Sequence, residues 1–138
     1  MKNVIIFLTF LTISCHGQER LTWNTFERIT FEEVFEPVSA TWVQTPVWTD
    51  DLKEWDGKFV KITGYVIALD AVSSQYALSA FPFSSCFVCG AAGPESVLEL
   101  VLKDKDKYLT DDVITFEGIL QLNTDPLKFP LTLKDATE

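Results

Sequence analysis

The chain is short of the side chains on which much protein chemistry depends. Its 138 residues hold one histidine, His16, with three cysteines and one methionine. A single imidazole cannot build a histidine-rich zinc site, and no His or Lys falls near Ser84, Ser85 or the cysteines in a pattern that announces a nucleophile with its base. Basic residues are scarce as well, 11 Lys and Arg against 20 Asp and Glu, for a net charge of -9 and a pI near 4.5. A field of that sign repels a phosphate backbone, which excludes nucleic acid as a partner. Six glycines and six prolines are too few for a collagen-like or low-complexity chain. Glycines cluster only in the run 90–93, which no Lys-Ser or Lys-Thr follows, so it has no phosphate-cradling signature. The acidic pairs Asp50-Asp51, Asp104/Asp106 and Asp111-Asp112 lack the spacing of a calcium loop and read as solvated turn residues.

What is present is a globular composition, 47% hydrophobic and 22% charged, with no internal repeat or linker that divides it. At the amino end a short basic start, Met1-Lys2-Asn3, precedes the uncharged run 4–14 (VIIFLTFLTIS), and the polar 16–20 (HGQER) arrives too early for a spanning helix. Residues 1–17 are therefore expected to be a signal peptide, lipoprotein-type or ordinary. The segment 11–15 (LTISC) resembles a bacterial lipobox that would place a lipid anchor on Cys15, although Leu11 stands one residue farther from the cysteine than usual. Ordinary cleavage after Gly17 or Gln18 is the competing expectation, and it would discard Cys15 and His16. Export to the periplasm, or anchoring as a lipoprotein on the cell envelope, follows in either case, with membrane contact only through the anchor.

Residues 18–51 mix Trp23, Phe26, Phe31, Phe35, Trp42 and Trp48 with Glu27, Glu32, Glu33 and Glu36, and hold neither the helical nor the strand period for long. This stretch is expected to be an N-terminal aromatic and acidic arm that wraps the core, with a short helix before Pro37. From residue 52 to 138 the pattern is strand after strand. The segment 58–69 (KFVKITGYVIAL) puts Val60, Ile62, Val66 and Ala68 on one face around Gly64, after the turn signal Asp56-Gly57. Runs 75–81 (QYALSAF) and 96–102 (SVLELVL) follow. Then 113–122 (VITFEGILQL) turns Ile114, Phe116, Leu120 and Leu122 inward around Gly118, and Phe129, Leu131 and Leu133 begin a fifth strand. Five strands, two of them long with a central glycine, predict an all-β fold: a small five-stranded barrel of the oligonucleotide/oligosaccharide-binding (OB) type, with an open sandwich as the alternative.

The only constellation with explicit chemistry is Cys86-Phe87-Val88-Cys89, in a loop punctuated by Gly90, Gly93 and Pro94, with Pro94 suited to open a brief helical turn. Three readings stay open. A thioredoxin-type dithiol would need the first cysteine at the start of a long helix, and no helical period follows. Cys86 and Cys89 can supply two thiolates to Cu(I), or to Zn(II) with a carboxylate such as Glu95 or a second subunit. Otherwise the pair forms a short-loop disulfide or stays as two loop thiols. The spacing predicts both sulfurs on one side of a tight turn.

Residues 55–70 (WDGKFVKITGYVIALD) resemble the opening of an exported bacterial family known as domain of unknown function 3299, in which L-(D/E)-G-K-x-V-x-I-x-G-(F/Y)-V-x-P-L precedes a strand and a cysteine-containing loop. Leu21-Thr22-Trp23 is similar to that family's early I-T-W segment, and 113–122 to its late strand. Ala68 stands where the family has proline, and 87–94 (FVCGAAGP) replaces a stretch with His and prolines. The resemblance implies an exported barrel-like domain, an accessory to an envelope transport system, and no known reaction. The functional expectation is thus an exported envelope accessory or binding protein, non-catalytic, with an envelope protein or a small ligand as partner. The alternative is a thiol-dependent metal-handling or redox protein using Cys86 and Cys89.

Overall fold

The computed structural model describes residues 19–70 and 72–138. The expected signal peptide, Cys15 and His16 lie outside the described residues. Eight strands follow in chain order. A two-residue strand, β1 (Glu19–Arg20), leads through the 3-10 helix Trp23–Arg28 into β2 (Thr30–Glu36) and β3 (Thr41–Val47). A single helical turn, Asp50–Lys53, then delivers the chain to β4 (Phe59–Asp70), β5 (Gln75–Ser79), β6 (Val97–Leu102), β7 (Val113–Leu122) and β8 (Leu131–Thr137).

β4 to β8 form a closed five-stranded barrel. Their order is β4-β5-β6-β8-β7, and β7 returns to β4. All neighbours are antiparallel except β6 and β8, which run parallel. This is the Greek-key arrangement of an OB-like barrel, as the strand pattern predicted. Closure depends on β4, whose 12 residues serve two barrel neighbours besides the short β1: Phe59 to Tyr65 pair with β7, and Tyr65 to Asp70 pair with β5. A strand that changes partner must coil tightly, and Gly64 sits at the changeover. A Cβ on Gly64 would stand 2.6 Å from the Ser79 carbonyl oxygen and 2.8 Å from Leu78 Cγ. Gly118 plays the same part in β7, where a Cβ would meet the Lys134 carbonyl at 2.5 Å and the register with β8 shifts between Glu117 and Ile119.

The inward residues follow the predicted alternation. Val60, Ile62, Val66, Phe116 and Leu120 are buried with Tyr76, Leu78, Leu98, Leu100, Leu131 and Leu133, and Ile114, Leu122 and Ala68 pack against them half-buried. Strand limits differ by a residue or two from those expected. The fifth strand starts at Leu131, because Phe129 belongs to a different cluster described below.

The segment ahead of the barrel divides in two. Leu21, Phe26, Ile29 and Leu52 are buried in the barrel's own core, so this part closes the fold. β2 and β3 instead form a separate antiparallel two-stranded sheet, in register from Thr30 opposite Val47 to Glu36 opposite Thr41. The short helix expected before Pro37 stands earlier, as the 3-10 helix Trp23–Arg28, and the stretch that leads directly to Pro37 is a strand. Its glutamates favour a helix, but Thr30, Val34 and Phe35 find β-branched and aromatic partners across the ribbon in Val47, Val43 and Trp42, and such cross-strand pairs outweigh local propensity. Two indoles tie down the ribbon's feet. Trp23 Nε1 donates to the Thr63 carbonyl at 2.8 Å, and Trp48 Nε1 donates to the Asn123 carbonyl at 3.0 Å.

Candidate functional site

A cleft of about 600 Å3 lies where the ribbon meets the barrel. Its barrel side is Leu69 and Gln75, flanking the β4–β5 loop, and Glu99 on β6. One wall is the β7–β8 loop with Leu127, Lys128 and Phe129, another is Phe87 and Pro94, and the ribbon contributes Phe31, Gln44 and Pro46. A smaller hollow of about 340 Å3 continues from it along β6 and shares Leu69, Gln75 and Glu99. In OB barrels the second and third strands, with the loops joining strands one to two and four to five, form the ligand face. Those elements here are β5, β6 and the β4–β5 and β7–β8 connections: Gln75, Glu99 and residues 126–130 line the cleft, and Ser73 and Ser74 line the smaller hollow beside it.

Each wall has a local cause. The loop 123–130 is organised by Asn123, whose Nδ2 donates to the Phe129 carbonyl at 2.7 Å and to Thr132 Oγ1 at 2.9 Å. Thr132 Oγ1 in turn donates to Glu99 Oε2 at 3.3 Å, so a buried amide and hydroxyl link the loop to the carboxylate beside the cleft. Asp125 closes the turn by accepting from the Leu127 amide at 3.0 Å, which leaves the Leu127 side chain largely exposed at the rim. Beside the smaller hollow, residues 72–73 are held by Asp70, whose carboxylate accepts from the Ser73 hydroxyl and from the Val72 and Ser73 amides. The Ser73 hydroxyl first, then these amides, hold the Asp70 carboxyl below its ordinary range.

The cysteine loop supports the remaining wall. Three 3-10 turns, Phe83–Ser85, Phe87–Cys89 and Pro94–Ser96, carry it, with Pro94 opening the last as anticipated. Cys86 is fully buried in a small apolar cluster with Ile67, Ala77 and Val97, against which Phe87 and Phe129 pack. Cys89 is exposed, and its thiol donates to the Cys86 carbonyl at 3.0 Å. Both thiols are free, one inside and one outside, which differs from the expected common orientation of the sulfurs. The physical reason is the turn between them. The 3-10 turn Phe87–Cys89, closed by Gly90 at φ 81°, folds Cys89 and Ala91 back onto the Cys86 carbonyl, while the Cys86 side chain enters the apolar cluster. Glu95 is half-buried on the Pro94–Ser96 turn, with its carboxylate folded back over Gly93. Among the described residues no three His, Cys, Asp or Glu side chains converge as metal ligands, so Glu95 does not join the two cysteines.

Sequence reasoning thus singled out the right loop for residues that are not its contribution to the cleft. Burial of Cys86 seats Phe87 edge-on against Phe129, with ring centroids 6.4 Å apart, and these two aromatics line the cleft. The other cleft residues lie in separate stretches between Phe31 and Pro130. The one signal that pointed toward them was the OB pattern itself, which fixes where the ligand face falls once the strands are numbered. Comparison of the chain with family models, with curated proteins and with solved structures finds no match to any of them. The functional reading therefore rests on geometry.

Proposed function

We propose that the chain is a non-catalytic binding protein of the cell envelope, holding a small, largely apolar ligand in the cleft between its OB-like barrel and its ribbon. The observation that carries this reading is the position of the cleft on the barrel's ligand face. Its chemistry supports the same reading: aromatic and aliphatic walls supply contact area, while Gln44, Gln75, Glu99 and Lys128 offer a few polar anchors. Export, as a soluble periplasmic protein or through a lipid on Cys15, is part of the proposal and draws on the amino-terminal sequence. So does the accessory role beside an envelope transport system, which draws on the resemblance in 55–70.

Titration with a neutral apolar dye such as N-phenyl-1-naphthylamine tests the cleft. Leu127→Glu places a charge at the rim from an exposed position, so the fold survives and dye affinity should fall about tenfold. Unchanged affinity would overturn the reading. Detergent partitioning of the wild type and Cys15→Ser tests the anchor, and equal release of both into the aqueous phase would sink acylation.

A thiol-dependent function is the second reading, and one observation favours it: the exposed Cys89 thiol sits on the Cys86 carbonyl, one turn from the second sulfur. On this reading Cys86→Ser and Cys89→Ser lose the same property, retention of Cu(I) or Zn(II) or of a mixed-disulfide partner. Loss in only one of the two variants overturns it.

A further inference from the structure

The ribbon carries a second pattern, which runs from the cleft, where Phe31, Gln44 and Pro46 are lining residues, out to Phe35 and Trp42 at the ribbon tip. On one face of the ribbon the register stacks three cross-strand pairs: Phe31 with Pro46, Glu33 with Gln44, and Phe35 with Trp42. Successive pairs are about 7 Å apart, two residues of strand rise. Read along β2, this face is apolar, acidic, apolar. Phe35 and Trp42 meet edge-on at 5.6 Å and are 49% and 65% exposed, a large aromatic surface for a ribbon tip. Glu33 forms no ion pair among the described residues. Thr30–Glu36 and Thr41–Val47 contain three glutamates and no Lys or Arg.

The backbone adds an independent observation. The sheet has only β2 and β3, so each strand has one edge without a strand partner among the described residues. Pro46 lacks an amide and weakens the β3 edge for pairing, whereas β2 contains no proline. An open edge of seven residues is a template for another strand.

We infer that β2 is a docking edge for an extended, basic and apolar segment of a partner protein, which adds as a third strand with apolar side chains beside Phe31 and Phe35 and a Lys or Arg beside Glu33. Charge decides the occupant. A second copy of this ribbon would bring Glu32, Glu33 and Glu36 against their counterparts, and like charges facing across strands oppose pairing. An anionic lipid surface meets the same repulsion, in a chain of net charge -9. A basic strand gains from the field that excludes both, and the exposed Phe35 ring on β2, backed edge-on by Trp42, supplies the kind of aromatic anchor that dominates interfaces.

The test uses the full chain and capped peptides built on Leu-Ser-Lys-Ser-Leu, with Leu-Ser-Glu-Ser-Leu and an N-methylated Lys peptide as controls. The Lys peptide should bind, and the Glu and N-methylated peptides should bind at least about tenfold more weakly. Trp42→Ala should weaken the Lys peptide about tenfold, and Glu33→Lys should reverse the preference between the Lys and Glu peptides. Equal binding of the three peptides, or indifference to both substitutions, overturns the inference. So does a Trp42-dependent dimer in sedimentation, which would make the occupant a second copy, or Trp42-dependent binding to phosphatidylglycerol vesicles. Dye binding in the cleft is scored in the same preparations: dye without peptide leaves the cleft reading standing and removes this one, and peptide without dye does the reverse.

Discussion

The barrel and the ribbon are built from the same kinds of residue and spend them in opposite ways. β4 and β7 turn an apolar residue or a glycine inward at every second position, and Val60, Ile62, Phe116 and Leu120 vanish from solvent. β2 has the same alternation in Phe31, Glu33 and Phe35, yet no residue of β2 is buried and only Pro46 is buried in β3. Alternation therefore marks a strand in both places and marks a core in only one of them. What separates them is closure: five strands surround a common interior, whereas two strands have two faces and no inside.

Equivalent truncations should separate the two regions most sharply. Phe116→Ala leaves a cavity in the barrel centre and should cost about 3 kcal/mol, read as a lowered urea midpoint, whereas Phe35→Ala on the ribbon should cost under about 1 kcal/mol. Similar losses for both would mean that the ribbon belongs to the cooperative core.

Gly64→Ala attacks closure itself. The new methyl collides with backbone at Ser79, which cannot swing aside as a side chain would, so a loss of about 1–3 kcal/mol is expected in the same assay. The same exchange at Gly57, whose Cβ direction is open, should remove only the ease of its φ of 76°.

The cysteines give a smaller contrast within one turn. Cys86→Ser puts a hydroxyl into the apolar cluster under the cleft and should cost about 1–2 kcal/mol, while Cys89→Ser, exposed, should stay within about 0.5 kcal/mol. Thermal unfolding of the two variants side by side checks the asymmetry, and a silent Cys86→Ser would contradict the packing described for it.

The smallest effect is local and depends on acid. Because the folded Asp70 carboxyl lies below its ordinary value, its bonds to Val72 and Ser73 are fully present above that value and are lost as pH falls through the lower one. The amide resonances of Val72 and Ser73 should shift together with a midpoint below 3.8, the ordinary aspartate value. A midpoint at or above it would mean that the cap is not formed.

The barrel was legible because each of its strands repeats a period that burial enforces, and because Gly64 and Gly118 interrupt two such periods where a closed sheet must bend. The ribbon was not, since Glu32, Glu33 and Glu36 broke the apolar count over a segment in which only Pro46 is buried and Phe31 packs against the barrel core half-buried. The cleft escaped for a different reason. It joins Phe31, Phe87, Glu99 and Phe129, and none of these differs in local pattern from an ordinary strand or loop residue. The cysteine pair drew attention through its spacing, but spacing along the chain does not say which way a side chain points. The carbonyl of Cys86, and not its sulfur, faces Cys89.

The double pairing of β4 also governs how the chain reaches this state. Tyr65 pairs with Ser79 on one side and with Val113 on the other, and Phe59 waits for Ile119. A hairpin of β4 and β5 can form locally, but the other border of β4 stays unzipped until most of the chain has been made. Topologies dominated by such distant pairings fold in about milliseconds to seconds, several orders of magnitude slower than helical bundles. Throughout that interval the apolar row of Val60, Ile62 and Val66 lacks its cover, so the nascent protein is most vulnerable to wrong association just before β7 arrives.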